Sequence, residues 1–256
     1  MDQATYLRRI GIVDSTVEAN AKCLGMLQRQ HLIHVPFENL DIHWGRKIIP
    51  DTSLFYKKIV ERGRGGFCYE LNGIFNELLR AIGFRTKMVS ARVAIPGGGF
   101  GPEFDHLAII SESDDGKYLV DVGFGDFTAE PLRFETGIIQ IDPNGKFMIA
   151  ESGEDQYEVR KLAGREWTNS YIFSAVKRDM NEFAGMCEFH QTSPDSHFTK
   201  GKLCSLMTEN GRKTLTDKAF IRSSGNEKTE NAVSSETEFM ELLKREFGIE
   251  REKSEK

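Results

Sequence analysis

Much that would assign a function at once is missing from this sequence. Its four cysteines, Cys23, Cys68, Cys187 and Cys204, include no C-x-x-C pair, which excludes zinc-site spacing and the density of a disulfide scaffold. No run of about eighteen apolar residues occurs, so no transmembrane helix is implied. The opening residues, Met1 to Ile10, lack the apolar core of a signal peptide. Reduced thiols in the cytoplasm are the expectation. Positive charge is not in excess: the formal net charge of −5 argues against a broad nucleic-acid face and leaves room for a local basic patch. Gly97 to Gly101 is followed by no Gly-Lys-Ser/Thr and opens no helix as G-x-G-x-x-G. Internal repeats and low-complexity linkers are absent as well, so domain boundaries are soft.

What is present suits an ordered protein. With 256 residues, 39% hydrophobic and 29% charged, the chain can form one large domain or two to three small ones sharing a core. One stretch organises the rest: Arg64-Gly65-Gly66-Phe67-Cys68-Tyr69-Glu70-Leu71-Asn72. Leu71, Phe75, Leu78 and Ile82 then recur on one helical face, and Gly83 stands where helices commonly end. Cys68 therefore falls in the first turn, near unpaired N–H groups and the positive end of the helix dipole. That setting favours the thiolate, which is the nucleophilic form. The bland alternative is a buried cysteine acting as a small hydrophobe.

The elements before and after follow from periodicity and breakers. Ser15 with Glu18 reads as a capping box for a helix ending near His34, since Pro36 disfavours helical Val35. Val35 to Leu40 is non-helical, and a short helix spans about Thr52 to Arg62. Strand patterns follow at Lys87–Ile95, His106–Ile110, Lys117–Val122, Tyr157–Leu162 and Trp167–Phe173, which suggests a barrel or sandwich-like middle. A helix at Lys177–Phe189, a hairpin of Leu203–Met207 with Thr214–Ile221 about Asn210-Gly211, and a helix at Glu236–Phe247 complete the pattern. The charged tail Arg251 to Lys256 is expected to fray.

A cysteine nucleophile needs a base, and the base an orienting acceptor. His106 opens an apolar strand whose hairpin return carries Asp121. Antiparallel partners have a constant index sum. A sum of 227 sets His106 opposite Asp121, a sum of 229 sets them diagonally on one face, and an even sum separates them. Asp121 lies in an apolar run, so its carboxylate needs a partner. The competing readings are an aspartate bonding the Gly123-Phe124-Gly125 turn and a satisfied core histidine. The three residues together favour a Cys-His-Asp triad. Among the other histidines, His31, His34 and His43 read as packing or surface residues, while His190 and His197 are candidates for a pocket wall. Cys23, Cys187 and Cys204 read as core. The Gly97–Gly101 loop leads into His106, and its backbone N–H groups are of a kind that cradles phosphate or simply form a turn.

Arg64 to Gly73, Phe104-Asp105-His106-Leu107 and Leu119 to Gly125 resemble the signature segments of the arylamine N-acetyltransferases. Val35 to Leu40 and Gln191 to Phe198 resemble two further segments of that family. The resemblance implies an α+β fold with a papain- and transglutaminase-like core. It would divide into a helical bundle over residues 1–84, a β-barrel over 85–190 and an α/β lid over 191–256. It implies acetyl transfer from acetyl-CoA, with no metal, to an arylamine, an arylhydrazine or the oxygen of an N-hydroxyarylamine. Cys68 would accept the acetyl group, His106 act as base and Asp121 orient it. Phe37 and Phe124 would line the acceptor pocket, and Gly98, Gly99, Phe100, Gly101, Thr192 and Ser193 would lie near CoA. Two rivals remain open: an amide hydrolase or transglutaminase-like enzyme using the same three residues, and a silent binder of aromatic or CoA ligands.

Overall fold

In the computed structural model, which describes residues 1–13, 16–225 and 227–251, the N-terminal third packs around one buried helix. Helices α1 (Gln3–Arg9), α2 (Ala21–His34), α3 (Leu40–His43) and α4 (Thr52–Tyr56) precede it, and it follows as α5 (Cys68–Ile82). Its apolar residues Leu71, Phe75 and Leu78 join Tyr6, Leu24, Leu27, Phe55 and Ile59 in one cluster. Gly83 ends it at φ 112°, a left-handed geometry that glycine adopts at little cost. The anticipated helix over 52–62 is in two pieces, since α4 runs into a π turn at Lys57–Glu61.

The start of α2 differs from the pattern reading. Asn20 caps it, its side chain accepting from the Cys23 N–H at 2.9 Å, and asparagine caps as well as serine does. Ser15, the anticipated cap, lies outside the described residues, as do residues 252–256 of the tail. The end at His34 is as Pro36 requires.

Two sheets complete the chain. The larger contains β2 (Arg85–Val93), β3 (His106–Ser113), β4 (Gly116–Val120), β5 (Leu132–Arg133), β6 (Gln140–Asp142), β7 (Gly145–Gly153), β8 (Gln156–Ala163) and β9 (Glu166–Ser174); β1 (Phe37–Glu38) belongs to the other sheet. The order β5-β4-β3-β2-β9-β8-β7-β6 curls it into a nearly closed barrel. The ends are bridged by a side chain: Gln140 Oε1 accepts from the Arg133 N–H at 2.7 Å and its Nε2 donates to Arg133 O at 2.9 Å. A period of two sorts the strand residues. Leu107 and Ile109 face the helical cluster, whereas Ala108 and Ile110 face the barrel interior with Val89, Phe147, Val159 and Tyr171. Strands β6 and β7 carried no clear pattern signal.

The helix anticipated from Lys177 begins later. Arg178 N–H donates to Met88 O at 2.9 Å, tying that segment to β2, and after a 3₁₀ turn at Met180–Phe183 α6 spans Ala184–Thr192. The second sheet has the order β1-β10-β11-β12-β13, with β10 (Leu203–Thr208), β11 (Gly211–Thr216), β12 (Ala219–Ser224) and β13 (Glu227–Ala232). The anticipated strand Thr214–Ile221 is therefore two strands turning at Asp217-Lys218. Helix α7 (Glu236–Phe247) covers this sheet through Phe239, Leu242 and Leu243. Pairing of Phe37 with Ser205 joins the N-terminal part to it. Among the described residues, no helix is long and apolar enough to cross a membrane.

Candidate active site

Glycines place Cys68 by letting backbones touch. A β-carbon on Gly65 would lie 2.0 Å from Pro36 O, so only glycine fits where the chain crosses the Val35–Leu40 segment. Glu38 N–H donates to Gly66 O at 2.8 Å, and Phe37 is thereby held beside the start of α5. Phe67 N–H donates to Glu70 Oε2 at 3.1 Å, which caps the helix through a side chain two residues past the cysteine.

Behind this start lies a buried charge knot that the sequence did not announce. Arg64 Nη2 bonds Glu38 at 2.6 Å and Asp41 at 3.0 Å; Lys58, from the π turn, bonds Asp41 at 2.8 Å and Glu70 at 2.9 Å. Three carboxyls face two cations. Burial, opposed by Lys58 and reinforced by Glu38 and Asp41, pushes the Glu70 carboxyl up to about 7. The Arg64 guanidinium also lies over the Trp44 ring at 4.7 Å.

His106 and Asp121 meet in the diagonal register. Pairs Ile109–Val120 and Ser113–Gly116 share the index sum 229, and His106 Nε2 donates to Asp121 Oδ2 at 2.7 Å. The other carboxylate oxygen does what the bland reading asked of it, accepting from the Gly123 N–H at 2.9 Å. It also accepts from Asn72 Nδ2 at 2.8 Å. Asn72, one turn beyond Cys68 on α5, donates as well to Leu107 O at 2.6 Å and accepts from the Val122 N–H at 2.9 Å. One amide thus fixes the helix bearing the thiol to both strands bearing the other two groups.

Cys68 and His106 are walls of one cavity of about 380 Å³, with Phe37, Phe124, His197 and Phe198 around them. Gly98, Gly99, Phe100, Gly101, Thr192 and Ser193 are on the walls of neither this cavity nor the larger one beside it. His106 sits edge-on to Phe124 at 5.2 Å between ring centres. Burial first, then the carboxylates of Asp105 and Asp121, pushes the Cys68 thiol well up, against a lowering from the Tyr69 backbone N–H. Burial therefore opposes the thiolate that the helix start favours.

Two further residues were not foreseen in their roles. Tyr69 Oη donates to Phe104 O at 2.7 Å, and Phe104 holds φ 64°, a strained value for a bulky residue two positions before His106. Buried His190 donates from Nε2 to Asp105 Oδ1 at 3.2 Å and pairs through Nδ1 with the Ser196 hydroxyl at 3.2 Å. His31 is packed between Tyr6 and Phe75, and burial lowers it to about 3. Cys23, Cys187 and Cys204 are buried. Among the described residues no group of His, Cys, Asp and Glu could hold a metal ion.

Known proteins share this sequence pattern and fold. Residues 21–255 match the family model described as N-acetyltransferase. The arylamine N-acetyltransferase of Mycolicibacterium smegmatis is 30% identical over 98% of this chain and 92% of its own length. The structure of Mycobacterium marinum arylamine N-acetyltransferase in complex with CoA superposes with a TM-score of 0.88 at 28% identity, covering 97% of this chain and 93% of that one. An arylamine N-acetyltransferase from Bacillus cereus, described as having a unique Cys-His-Glu catalytic triad, superposes with a TM-score of 0.90 at 25% identity, covering 98% of this chain and all of that one.

Proposed function

Because the chain belongs to the arylamine N-acetyltransferase family, we propose that it moves the acetyl group of acetyl-CoA to an aromatic amine or hydrazine nitrogen, or to the oxygen of an N-hydroxyarylamine, by double displacement through Cys68. The observation that carries the proposal is the 2.7 Å contact of His106 Nε2 with Asp121, on an imidazole that shares an aromatic-walled cavity with the thiol.

The thiol proton passes to His106. Asp121 repels a thiolate while the imidazole is neutral, but once His106 is an imidazolium the Asp121 charge stabilises it instead. The thiolate sulfur attacks the thioester carbonyl carbon, and the backbone N–H of Cys68, free at the helix start, is a candidate donor to the oxyanion. The carbon–sulfur bond to CoA breaks and the CoA sulfur takes the proton from His106. An amine then attacks acetyl-Cys68, His106 receives the amine proton, and the Cys68 sulfur leaves. Thiol exchange is nearly balanced, whereas amide formation is downhill.

Phe37 and Phe124 hold the acceptor ring. In this reading residues 1–84 supply the nucleophile, 85–190 the base and its carboxylate, and 191–256 the cover of the site. The four free thiols suit a reducing compartment, and we place the reaction in the cytoplasm. A cavity of about 380 Å³ with aromatic walls suits a small ring better than a peptide, which favours acetyl transfer over amide hydrolysis.

The test is a brief incubation with acetyl-CoA alone, followed by mass spectrometry of the peptide containing Cys68. One acetyl group on that cysteine and one equivalent of free CoA are expected. Release of CoA only when amine is present, with Cys68 never acetylated, would overturn the mechanism.

A further inference from the structure

A second cavity, about 940 Å³, opens beside the cysteine cavity and shares Asp126, Arg212 and Thr214 with it. Four cationic side chains line it, and three are neutralised within the protein: Arg29 by Glu209 at 2.8 Å, Lys161 by Asp126 at 3.1 Å and Lys228 by Glu230 at 3.5 Å. Arg212 differs. Its Nη2 donates to Gly125 O at 2.6 Å and its Nη1 to Ser205 Oγ at 3.2 Å, both neutral acceptors, and it forms no ion pair among the described residues. Burial lowers its pKa and the Asp126 carboxylate opposes that shift, but Asp126 is ion-paired with Lys161 rather than with Arg212. A guanidinium carries roughly five N–H donors in a rigid fork, and only two are engaged here. The first bond ties the fork to the Phe124-Gly125 turn and the second to Ser205, and all three residues are walls of the cysteine cavity.

We propose that Arg212 is an anion anchor at the junction of the two cavities, taking a pair of phosphate or carboxylate oxygens from a ligand reaching toward Cys68. The geometry suits bidentate recognition by a preorganised fork, for which lysine is no equivalent. The inference rests on the acetyl-transfer reading for its ligands, which offer two sources of such oxygens: the phosphates of the acyl donor and the carboxylate of an acidic arylamine.

The experiment compares the full-length wild type with Arg212→Gln and Arg212→Lys, each checked by thermal unfolding. Calorimetry measures binding of CoA against phosphate-free pantetheine, and steady-state kinetics give KM for 4-aminobenzoate against aniline. Arg212→Gln should weaken CoA binding about tenfold with pantetheine unchanged if the donor is held, or raise KM for 4-aminobenzoate about tenfold with aniline unchanged if the acceptor is held. Arg212→Lys should shift the same ligand less. If Arg212→Gln does not fold, Arg212→Lys decides on the same four ligands. An equal factor for charged and uncharged members of both pairs, or no change, overturns the anchor. Calorimetry needs no turnover, so charge-selective CoA binding without acetylation of Cys68 would sink the mechanism and leave the anchor standing.

Discussion

Gly123 and Cys68 are in backbone contact: a β-carbon on Gly123 would lie 2.8 Å from the Cα of Cys68 and 2.8 Å from Asn72 Nδ2. The turn that carries Asp121 and Phe124 therefore rests directly on the start of the nucleophile's helix. Gly123→Ala should force them apart, costing about 1–3 kcal/mol as overpacking does and lowering kcat/KM far more than that loss of stability explains. Urea unfolding and steady-state kinetics on the same preparation check both; full activity would contradict the contact.

Asp121→Asn keeps the size of the side chain but loses the charge behind His106. It should lower kcat by about 10³- to 10⁴-fold through the wrong imidazole tautomer, while Cys68→Ala abolishes transfer. Single-turnover acetylation of Cys68 should slow to the same extent as kcat.

Tyr69→Phe removes the hydroxyl that donates to Phe104 O. A buried carbonyl losing its donor costs about 1–2 kcal/mol, and Phe104, at φ 64°, is then free to relax. Since His106 follows two residues later, kcat should fall with KM for the amine nearly unchanged. Thermal unfolding with the kinetic split checks this; a change in KM alone would count against it.

Glu70 makes stability depend on pH with an identifiable sign. Its carboxyl is raised from 4.5 to about 7 in the fold, so between these values the native state holds more protons and stability falls as pH rises. The contribution is complete below about 4.5 and gone above about 7, amounting to at most ~3 kcal/mol. Buried His31, lowered from 6.5 to about 3, acts oppositely between those values. The difference between wild type and Glu70→Gln isolates Glu70: urea midpoints at pH 5 and 7.5 should show the wild type losing stability relative to the variant. A constant difference would refute it.

Local pattern made α5 legible with its glycine stop, α7 with its end at Gly248, and the hairpin that brings His106 and Asp121 to one face. Each of these depends on neighbours within about twenty residues, where periodicity, caps and turn parity act. Strand β1, only Phe37–Glu38, was not legible because its partner β10 lies far along the chain. The same holds for the charge knot from Glu38 to Glu70, the His190–Asp105 pair, and the assignment of Arg212 to the junction of two cavities.

By itself, then, the sequence determined which side chains could do chemistry and which elements would carry them, since helix starts, breakers and strand alternation are local preferences. Tertiary structure alone decided the diagonal rather than direct register at Asp121, the absence of Gly98–Gly101 from both cavity walls, and the desolvation that raises the Cys68 thiol. Those depend on burial and on contacts between distant segments, and a linear pattern holds no record of which surfaces finally exclude water.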